Sequence, residues 1–222
     1  MDKPIDHYWS LHLESTRKAL AANGFDVYVA EDEAQATRLV LELILPATGA
    51  MSVSWGGSQT FKDCGLLDIF RTQRSITVEG IELIDTFEKG LPADEKHERR
   101  RRALLADLFF TGANAITRQG QLVNLDMIGN RVAALTFGPH HVVVLAGRNK
   151  IVADVDAARA RIKEYAAPVN AIRLNKKTPC AKTGRCEDCN STDRICNTWT
   201  ITEKSFPIGR IKVILINRDL GF

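Results

Sequence analysis

The stretch His141-Val142-Val143-Val144-Leu145-Ala146 decides the fold, because its five apolar residues follow one another without alternation. A run of this kind is typical of a strand that is buried on both faces, as the strands of parallel sheets are. A similar run, Ile211-Lys212-Val213-Ile214-Leu215-Ile216, lies near the end of the sequence. Candidate helices alternate with shorter strands along the rest of the chain. The sequence therefore predicts an α/β fold with three layers, in which helices cover both faces of a mostly parallel sheet.

The elements around this run are bounded by short polar residues, glycines and prolines. Asp32 is positioned to cap the start of a helix that we expect to end before Pro46. A later helix, over residues 154–166, is expected to end near Pro168 for the same reason. Helices are also predicted over residues 5–23, 94–107 and 130–134, strands over 25–29, 51–55, 76–78 and 108–111, and a hairpin over 115–125.

Length and composition narrow the class of protein. A chain of 222 residues with 45% hydrophobic and 26% charged residues is expected to fold as a single domain over residues 1–222. The net charge of +3 is too small to indicate nucleic acid by itself. No apolar stretch is long enough to span a bilayer, and the N-terminus carries no secretory signal. We therefore expect a cytoplasmic protein that makes no use of a membrane.

Two glycines and a serine follow the predicted strand 51–55, in the order Gly56-Gly57-Ser58, and Thr60 comes shortly after them. A strand that turns directly into a helix presents backbone N–H groups at the carboxyl edge of the sheet, where anions bind. The spacing matches neither the dinucleotide nor the P-loop fingerprint, so it names no ligand. Two interpretations are open. The four residues form an anion-binding turn, or the turn is merely tight and Ser58 caps the helix.

A polar segment occupies residues 112–131, between two apolar strands. Amides, a hydroxyl, a carboxylate and glycines crowd into it, which favours a cleft that hydrogen-bonds a small polar ligand. An arginine in such a cleft can pair with a carboxylate or a phosphate through two hydrogen bonds. The alternative is a set of Asx-turns and caps in an irregular connection. The candidate ligand-binding residues of this segment are Asn114, Thr117, Asn124, Asp126, Asn130 and Arg131.

Three other features give weaker signals, and no catalytic residue can be assigned from them. The pair His140-His141 stands at a strand start, where one ring can face the cleft, although a histidine that is merely hydrogen-bonded is the commoner case. Cys64 is expected to be a small buried filler. The run Arg99-Arg100-Arg101-Arg102 has Glu95 and Glu98 four residues before its first and last members, which indicates a solvated helix face.

Four of the five cysteines fall within a segment of 17 residues. In a reducing cytosol such a cluster indicates a metal site rather than disulfides. Four thiolates can hold one zinc ion or one iron–sulfur cluster, and the spacing does not decide between these cofactors. Four metal-free thiols would leave a polar loop of roughly 20 residues with nothing to hold it, which is uncommon. We predict a metal-binding loop over residues 176–198 with the ligands Cys180, Cys186, Cys189 and Cys196.

The run Phe110-Thr111-Gly112-Ala113-Asn114-Ala115-Ile116-Thr117, together with Gly129-Asn130-Arg131-Val132-Ala133-Ala134, resembles the LUD (lactate utilization) domain. Phe137-Gly138-Pro139, Gly147-Arg148-Asn149-Lys150 and the cysteine loop resemble the short stand-alone members of that family. The resemblance implies a three-layer fold similar to those of sugar-phosphate isomerases, CoA transferases and formyltetrahydrofolate cyclo-ligases. It also implies a part in the oxidation of L-lactate to pyruvate beside iron–sulfur partner subunits.

Two functions remain open at this point. The first is a lactate utilization protein, an enzyme or enzyme subunit that binds a small carboxylate or phosphorylated ligand in a cleft between Gly57 and Arg131. The second is an iron–sulfur electron-transfer or assembly module, built on the cysteine loop, that has no catalytic activity of its own. A nucleic-acid binder is disfavoured, because no aromatic residues interleave with arginines 99–102.

Overall fold

The computed structural model describes residues 3–72 and 80–222, so the predicted strand 76–78 lies outside the described residues. The larger of its two sheets has six strands, and their pairings are parallel. The prediction of a mostly parallel sheet is therefore confirmed. In the order in which they lie side by side, the strands are β1 (Asp26–Ala30), β10 (Ile211–Ile216), β7 (His141–Gly147), β4 (Leu108–Gly112), β2 (Ser52–Trp55) and β3 (Glu82–Ile84).

The hairpin predicted over residues 115–125 is confirmed. In it, β5 (Ala115–Thr117) pairs antiparallel with β6 (Leu122–Asp126). The hairpin belongs to a second sheet of four strands, which the sequence pattern did not predict. In that sheet, β8 (Ile151–Val152) lies parallel to β5, and β9 (Thr198–Thr202) lies antiparallel to β6.

Helices cover both faces of the larger sheet, as predicted. Asp32 caps α2, because its carboxylate accepts a hydrogen bond of 2.7 Å from the backbone N–H of Gln35. Among the described residues, no helix combines the length and the apolar character that a bilayer crossing requires. The helices are α1 (Pro4–Ala22), α2 (Glu33–Arg38), α3 (Leu45–Thr48), α4 (Gln59–Asp63), α5 (Leu66–Thr72), α6 (Ala93–Arg102), α7 (Asn130–Thr136), α8 (Val155–Arg161), α9 (Ala167–Arg173) and α10 (Pro179–Thr183).

Two helix ends were predicted at prolines, and both predictions are wrong. The helical path continues past Pro46 through α3 and past Pro168 through α9. In both places a π-helical turn, Leu39–Ile44 or Ile162–Ala166, comes just before the proline. A π turn widens the helix by one residue, and the proline then lies in the first turn of the next helical segment, where a backbone N–H is not needed.

The strand that decided the prediction is buried on both faces. Val143 and Leu145 pack into one apolar cluster, and Val142 and Val144 pack into another on the opposite face. The side chains of β10 divide between the same two clusters, as a period of two residues requires. The first cluster also contains a stack of four aromatic rings, which are Trp55, Phe61, Phe70 and Phe110.

Candidate functional site

A cavity of about 390 Å³ lies at the carboxyl edge of the larger sheet. Strands β7, β4 and β2 are neighbours, and the residues that follow each of them line one wall of the cavity. Other lining residues come from the end of β6, the start of α7, and the helical segment that includes α9. This edge is where open α/β sheets bind their ligands, so the cavity is the candidate site.

The ten predicted ligand-binding residues divide into two groups. Six of them line the cavity: Gly57, Ser58, Asn114, Asp126, Asn130 and Arg131. The other four are buried in contacts with protein: Gly56, Thr60, Thr117 and Asn124. The structure thus brings the glycine turn and the polar segment 112–131 together at one cavity, although they are far apart in sequence.

The glycine turn has the structure of a capped helix start. Ser58 precedes α4, and its hydroxyl accepts a hydrogen bond of 3.2 Å from the backbone N–H of Phe61. A Cβ atom at Gly112 would lie 2.8 Å from this hydroxyl oxygen, so the glycine at the end of β4 leaves room for the cap. The interpretation in which Ser58 caps the helix is confirmed, and the anion-binding interpretation of the turn stays a prediction.

Asp126 fixes the start of α7 and the position of Arg131 together. One carboxylate oxygen accepts hydrogen bonds from the backbone N–H groups of Arg131 and Val132, at 3.1 and 3.4 Å, and the other accepts from Met127 at 2.8 Å. The guanidinium of Arg131 donates from Nε to this carboxylate and from Nη2 to the carbonyl of Leu125. Within the described residues, its Nη1 group has no protein acceptor, so Arg131 can donate into the cavity that it lines.

Asn114 and Asn124 hold the hairpin together. The side-chain oxygen of Asn124 accepts from the backbone N–H of Asn114 at 3.2 Å, and the side-chain oxygen of Asn114 accepts from Leu125 at 2.9 Å. Thr117 accepts from the backbone N–H of Gln121 at 3.1 Å, inside the hairpin turn. These contacts satisfy backbone groups, as the alternative interpretation of the polar segment expects, and Asn114 also lines the cavity.

Lys150 is a candidate functional residue that the sequence pattern missed. It ends the 3₁₀ turn Arg148–Lys150 directly after β7 and is only 4% exposed, yet it lines the cavity. Its Nζ donates to the hydroxyl of Thr60 at 2.9 Å. Burial, followed by the charges of Arg161 and Arg131, lowers the pKa of Lys150 from 10.5 to about 7. Its position directly after a buried strand, at the carboxyl edge, is the one signal that could have found it.

Positive charge dominates the walls of the cavity. The one carboxylate side chain among its lining residues belongs to Asp126 and is already occupied by backbone N–H groups and by Arg131. Behind the wall, Arg161 donates to the backbone carbonyls of Asn149 and Asn114, at 3.1 and 2.8 Å. Five cationic side chains line the cavity: Arg100, Arg131, Lys150, Arg173 and Lys176.

The arginine run on α6 is largely paired with acids, as predicted, but one of the two predicted pairs is wrong. Arg99 lies 3.0 Å from Glu95, which confirms the first pair. Glu98 pairs with Arg101 instead of Arg102, at 2.7 Å, because a residue three positions on is also a neighbour on a helix. Arg102 instead reaches β3 and pairs with Glu82, at 3.0 Å.

The histidine pair and Cys64 take no part in the site. His140 and His141 lie at the amino end of β7, the edge of the sheet opposite the cavity, and neither lines it. Burial lowers the pKa of His141. Cys64 is buried as predicted, and its burial raises the pKa of its thiol to about 12.

The four predicted metal ligands line one small cavity of about 20 Å³. All four are free thiols. Within the described residues, no three His, Cys, Asp or Glu side chains are arranged as a closed coordination set. Four sulfur donors suit a soft metal ion or an iron–sulfur cluster in their chemistry. The four are Cys180, Cys186, Cys189 and Cys196.

Arg194 holds the cysteine loop in shape. It donates to the backbone carbonyls of Cys189 and Cys196, and to the carboxylate of Asp188 at 2.8 Å. Lys163, from the helical segment before α9, reaches the same carboxylate at 2.8 Å. Burial raises the pKa of Cys196, whereas the nearby charges of Lys163 and Arg194 oppose that rise. Cys196 lines both the small cavity and the large one, so the two sites adjoin.

Comparisons with known proteins place the chain in a family. The LUD domain family matches it over residues 13–216, which is most of its length. A crystal structure of a DUF162 family protein from Deinococcus radiodurans aligns with 94% of this chain and 98% of that one, with 17% sequence identity and a TM-score of 0.45. No curated protein gives a significant match. The family match suggests a role related to lactate utilization and names no substrate. The chain belongs to the LUD domain family.

Proposed function

We propose that this protein binds a small organic anion, a carboxylate or a phosphorylated compound, in the cavity at the carboxyl edge of its larger sheet, as a component of L-lactate oxidation to pyruvate. One observation carries the proposal: five basic side chains line the cavity, and its single carboxylate side chain is already satisfied. Cations collected around a concave, partly desolvated space attract an anion more strongly than cations on an open surface.

Arg131 is the residue best placed to recognise the anion. Its guanidinium is held on two sides, by Asp126 and by the carbonyl of Leu125, so its direction is fixed before a ligand arrives. A planar guanidinium with a free N–H group suits a carboxylate or phosphate oxygen. Lys150, Arg173 and Lys176 line the same cavity and add further donors.

A thermal-shift screen tests the proposal. Lactate, pyruvate, nucleotides, CoA esters and folates are added separately at millimolar concentration, because a ligand that binds only the folded state raises the melting temperature. We expect a small carboxylate or a phosphorylated compound to stabilise the protein and Arg131→Gln to abolish that stabilisation. Arg159→Gln, a change at an exposed arginine of α8, is the matched control and should keep it. If none of these compounds stabilises the wild-type protein, the proposal is wrong.

A second candidate function concerns the cysteine loop, where four thiols share one small cavity that adjoins the larger one at Cys196. Cys180, Cys186, Cys189 and Cys196 would hold the metal. Zinc would order the loop, whereas an iron–sulfur cluster would supply one-electron transfer to a partner subunit. Zinc and a cluster both remain open, and the cluster would make the protein an electron-transfer or assembly module.

Metal analysis of anaerobically purified protein, with a visible-region spectrum, separates the two cofactors. One zinc per chain and no visible absorption would support a structural ion and would rule out the electron-transfer module. Iron, sulfide and a brown colour would support the module. Protein that contains neither metal would contradict both.

A further inference from the structure

We propose that the amine of Lys150 is a nucleophile that condenses with the carbonyl group of an α-keto acid in the cavity and forms an imine. This inference rests on the proposed anion-binding function and names the class of compound that the site takes.

The turn that carries Lys150 is fixed on several sides. The side-chain oxygen of Asn149 accepts from the backbone N–H of Leu220 at 3.1 Å, and the backbone carbonyl of Asn149 accepts from Arg161. Gly147, at the end of β7, lets the segment after β10 approach, since a Cβ atom there would lie 2.6 Å from the Leu220 nitrogen. Rigid elements therefore fix the backbone of Lys150 beside the cavity that this residue lines, as a reacting group needs.

Lys150 has no counter-ion. Within the described residues, no carboxylate lies within ion-pair distance of its Nζ, although a buried ammonium group is costly unless it is paired. Burial and the charges of Arg161 and Arg131 lower the pKa of Lys150 to about 7, and the smaller effects of Asp63 and Cys64 oppose that shift. The neutral amine, the only form that is a nucleophile, is therefore available near neutral pH.

The hydrogen bonds of Thr60 leave the nitrogen lone pair available. The Thr60 hydroxyl donates its own proton to the carbonyl of Leu220, at 3.4 Å, and so accepts at its oxygen from Lys150. In the neutral amine, an N–H bond is thus directed at Thr60. Among the described residues, no protein group donates a hydrogen bond to the nitrogen lone pair. If Lys150 served only as a fixed positive charge, a site that lowers its pKa would weaken that role.

The neighbouring guanidinium selects the substrate class. Arg131 is close enough to lower the pKa of Lys150, and its Nη1 group is free of protein acceptors within the described residues. Arg131 and Lys150 line the same cavity, so one small compound can present a carboxylate to the first and a carbonyl carbon to the second. An α-keto acid carries both groups.

The reaction balances without an oxidant or a reductant. The lone pair of Nζ forms the C–N bond while the carbonyl π electrons move to oxygen, and a proton passes from nitrogen to that oxygen. The resulting carbinolamine then loses its hydroxyl group as water, with the second proton from nitrogen, and the C=N bond forms. The products are one imine and one water molecule, and hydrolysis reverses the step.

Reductive trapping tests the inference. The full-length protein is incubated with pyruvate and cyanoborohydride, which reduces imines to stable secondary amines, and is examined by intact mass and by peptide mapping. We expect one adduct per chain, with a mass gain of pyruvic acid less one oxygen atom, on the peptide that contains Lys150. Lactate has no carbonyl group and should give no adduct.

Two variants make the test specific. Lys150→Arg keeps the positive charge but cannot form an imine, and it should lose the adduct. Lys62→Arg changes an exposed lysine of α4 and should keep it. Peptide mapping of the wild-type protein does not depend on whether Lys150→Arg folds.

An adduct spread over surface lysines, or no adduct while pyruvate still raises the melting temperature, would overturn the imine and leave anion binding intact. If pyruvate neither binds nor labels, the proposed function fails for pyruvate and the imine fails with it.

Discussion

The side chain of Arg131 lies across the backbone of Gly56, so closely that a Cβ atom at this glycine would come within 2.5 Å of the arginine Cγ. The glycine turn after β2 and the polar segment before α7 therefore form one structure, although about 75 residues separate them along the chain. Gly56 does not contact the cavity itself. Its absent side chain is what lets Arg131 lie where it can reach a ligand.

Gly56→Ala should weaken anion binding more than it weakens the fold. The new methyl group displaces Arg131 from its position between Asp126 and the cavity, and a lost charge-assisted hydrogen bond is worth about 1.5–3 kcal/mol, or roughly ten- to a hundredfold in affinity. Calorimetric titration with the best ligand of the thermal-shift screen measures the loss. Wild-type affinity in a folded Gly56→Ala protein would show that Arg131 does not bind the anion.

Asp126→Ala should destabilise the protein by about 1–2 kcal/mol, because the carboxylate caps the first turn of α7 through two backbone N–H groups. The same change frees the guanidinium of Arg131 and should also weaken ligand binding. Urea unfolding measures the first effect and calorimetry the second. Asp126→Asn, which retains an acceptor oxygen, should recover most of the stability. A variant as stable as the wild type would rule out the capping role.

The stability of the wild-type protein should rise, relative to Lys150→Met, as the pH increases from about 7 to 10. In this window the lysine is neutral in the folded state, where its pKa is about 7, but protonated in the unfolded state, where it is near 10.5, so unfolding takes up a proton. The slope is at most about 1.4 kcal/mol per pH unit. Below the folded-state pKa the difference should level off.

Urea unfolding of both proteins across this pH range measures the difference. Lys62→Met, which removes an exposed charge from α4, is the control, and its free energy of unfolding should change with pH as that of the wild type does. If the free energies of unfolding of the wild type and Lys150→Met also changed equally with pH, Lys150 would be charged in the folded protein at all these pH values.

Cys186→Ser or Cys189→Ser should release the metal and loosen the loop over residues 176–198, while the larger sheet stays folded. Ile195 is the one buried apolar side chain in this stretch, all of which the structure describes, and ordering the backbone costs about 1–2 kcal/mol per residue. Metal binding by four thiolates contributes roughly 10–16 kcal/mol in small zinc domains, which can offset much of that cost.

Limited proteolysis read by mass spectrometry measures the loosening. The serine variants should be cut between Lys176 and Arg194, and the rest of the chain should survive. Cys64→Ala, which changes the cysteine outside the loop, should keep both the metal and the resistance to protease. Equal resistance in all variants would mean that contacts such as those of Arg194, rather than a metal, hold the loop.

The larger sheet was predictable because burial on both faces leaves a continuous apolar run, as in Val142 to Leu145. The second sheet was not. β9 reads Thr198-Trp199-Thr200-Ile201-Thr202, a half-exposed pattern rich in threonine, and β8 is only two residues long. The helix ends predicted at Pro46 and Pro168 were wrong for another reason. A π turn of ordinary residues, such as Leu39–Ile44, removes the conflict that a proline causes in a regular helix.

The candidate site was predictable in its polar segment but not in its chemistry. The crowding of polar residues in segment 112–131 indicated Asn114, Asp126 and Arg131, although these side chains also satisfy backbone groups. Lys150 stands in a short turn without any periodicity, and nothing local shows that it is buried. Its partner Thr60 is 90 residues away in sequence. A lysine acquires an altered pKa only from such distant neighbours, which a single sequence does not display.

The central claim is that the cavity at the carboxyl edge of the larger sheet binds a small carboxylate through Arg131, with Lys150 beside it. A crystal structure of the protein in complex with pyruvate tests this claim most directly. We predict density for the ligand in the cavity, with its carboxylate on the guanidinium of Arg131 and its carbonyl carbon at or bonded to Nζ of Lys150. Pyruvate bound elsewhere, or in this cavity without contact to either residue, would contradict the claim.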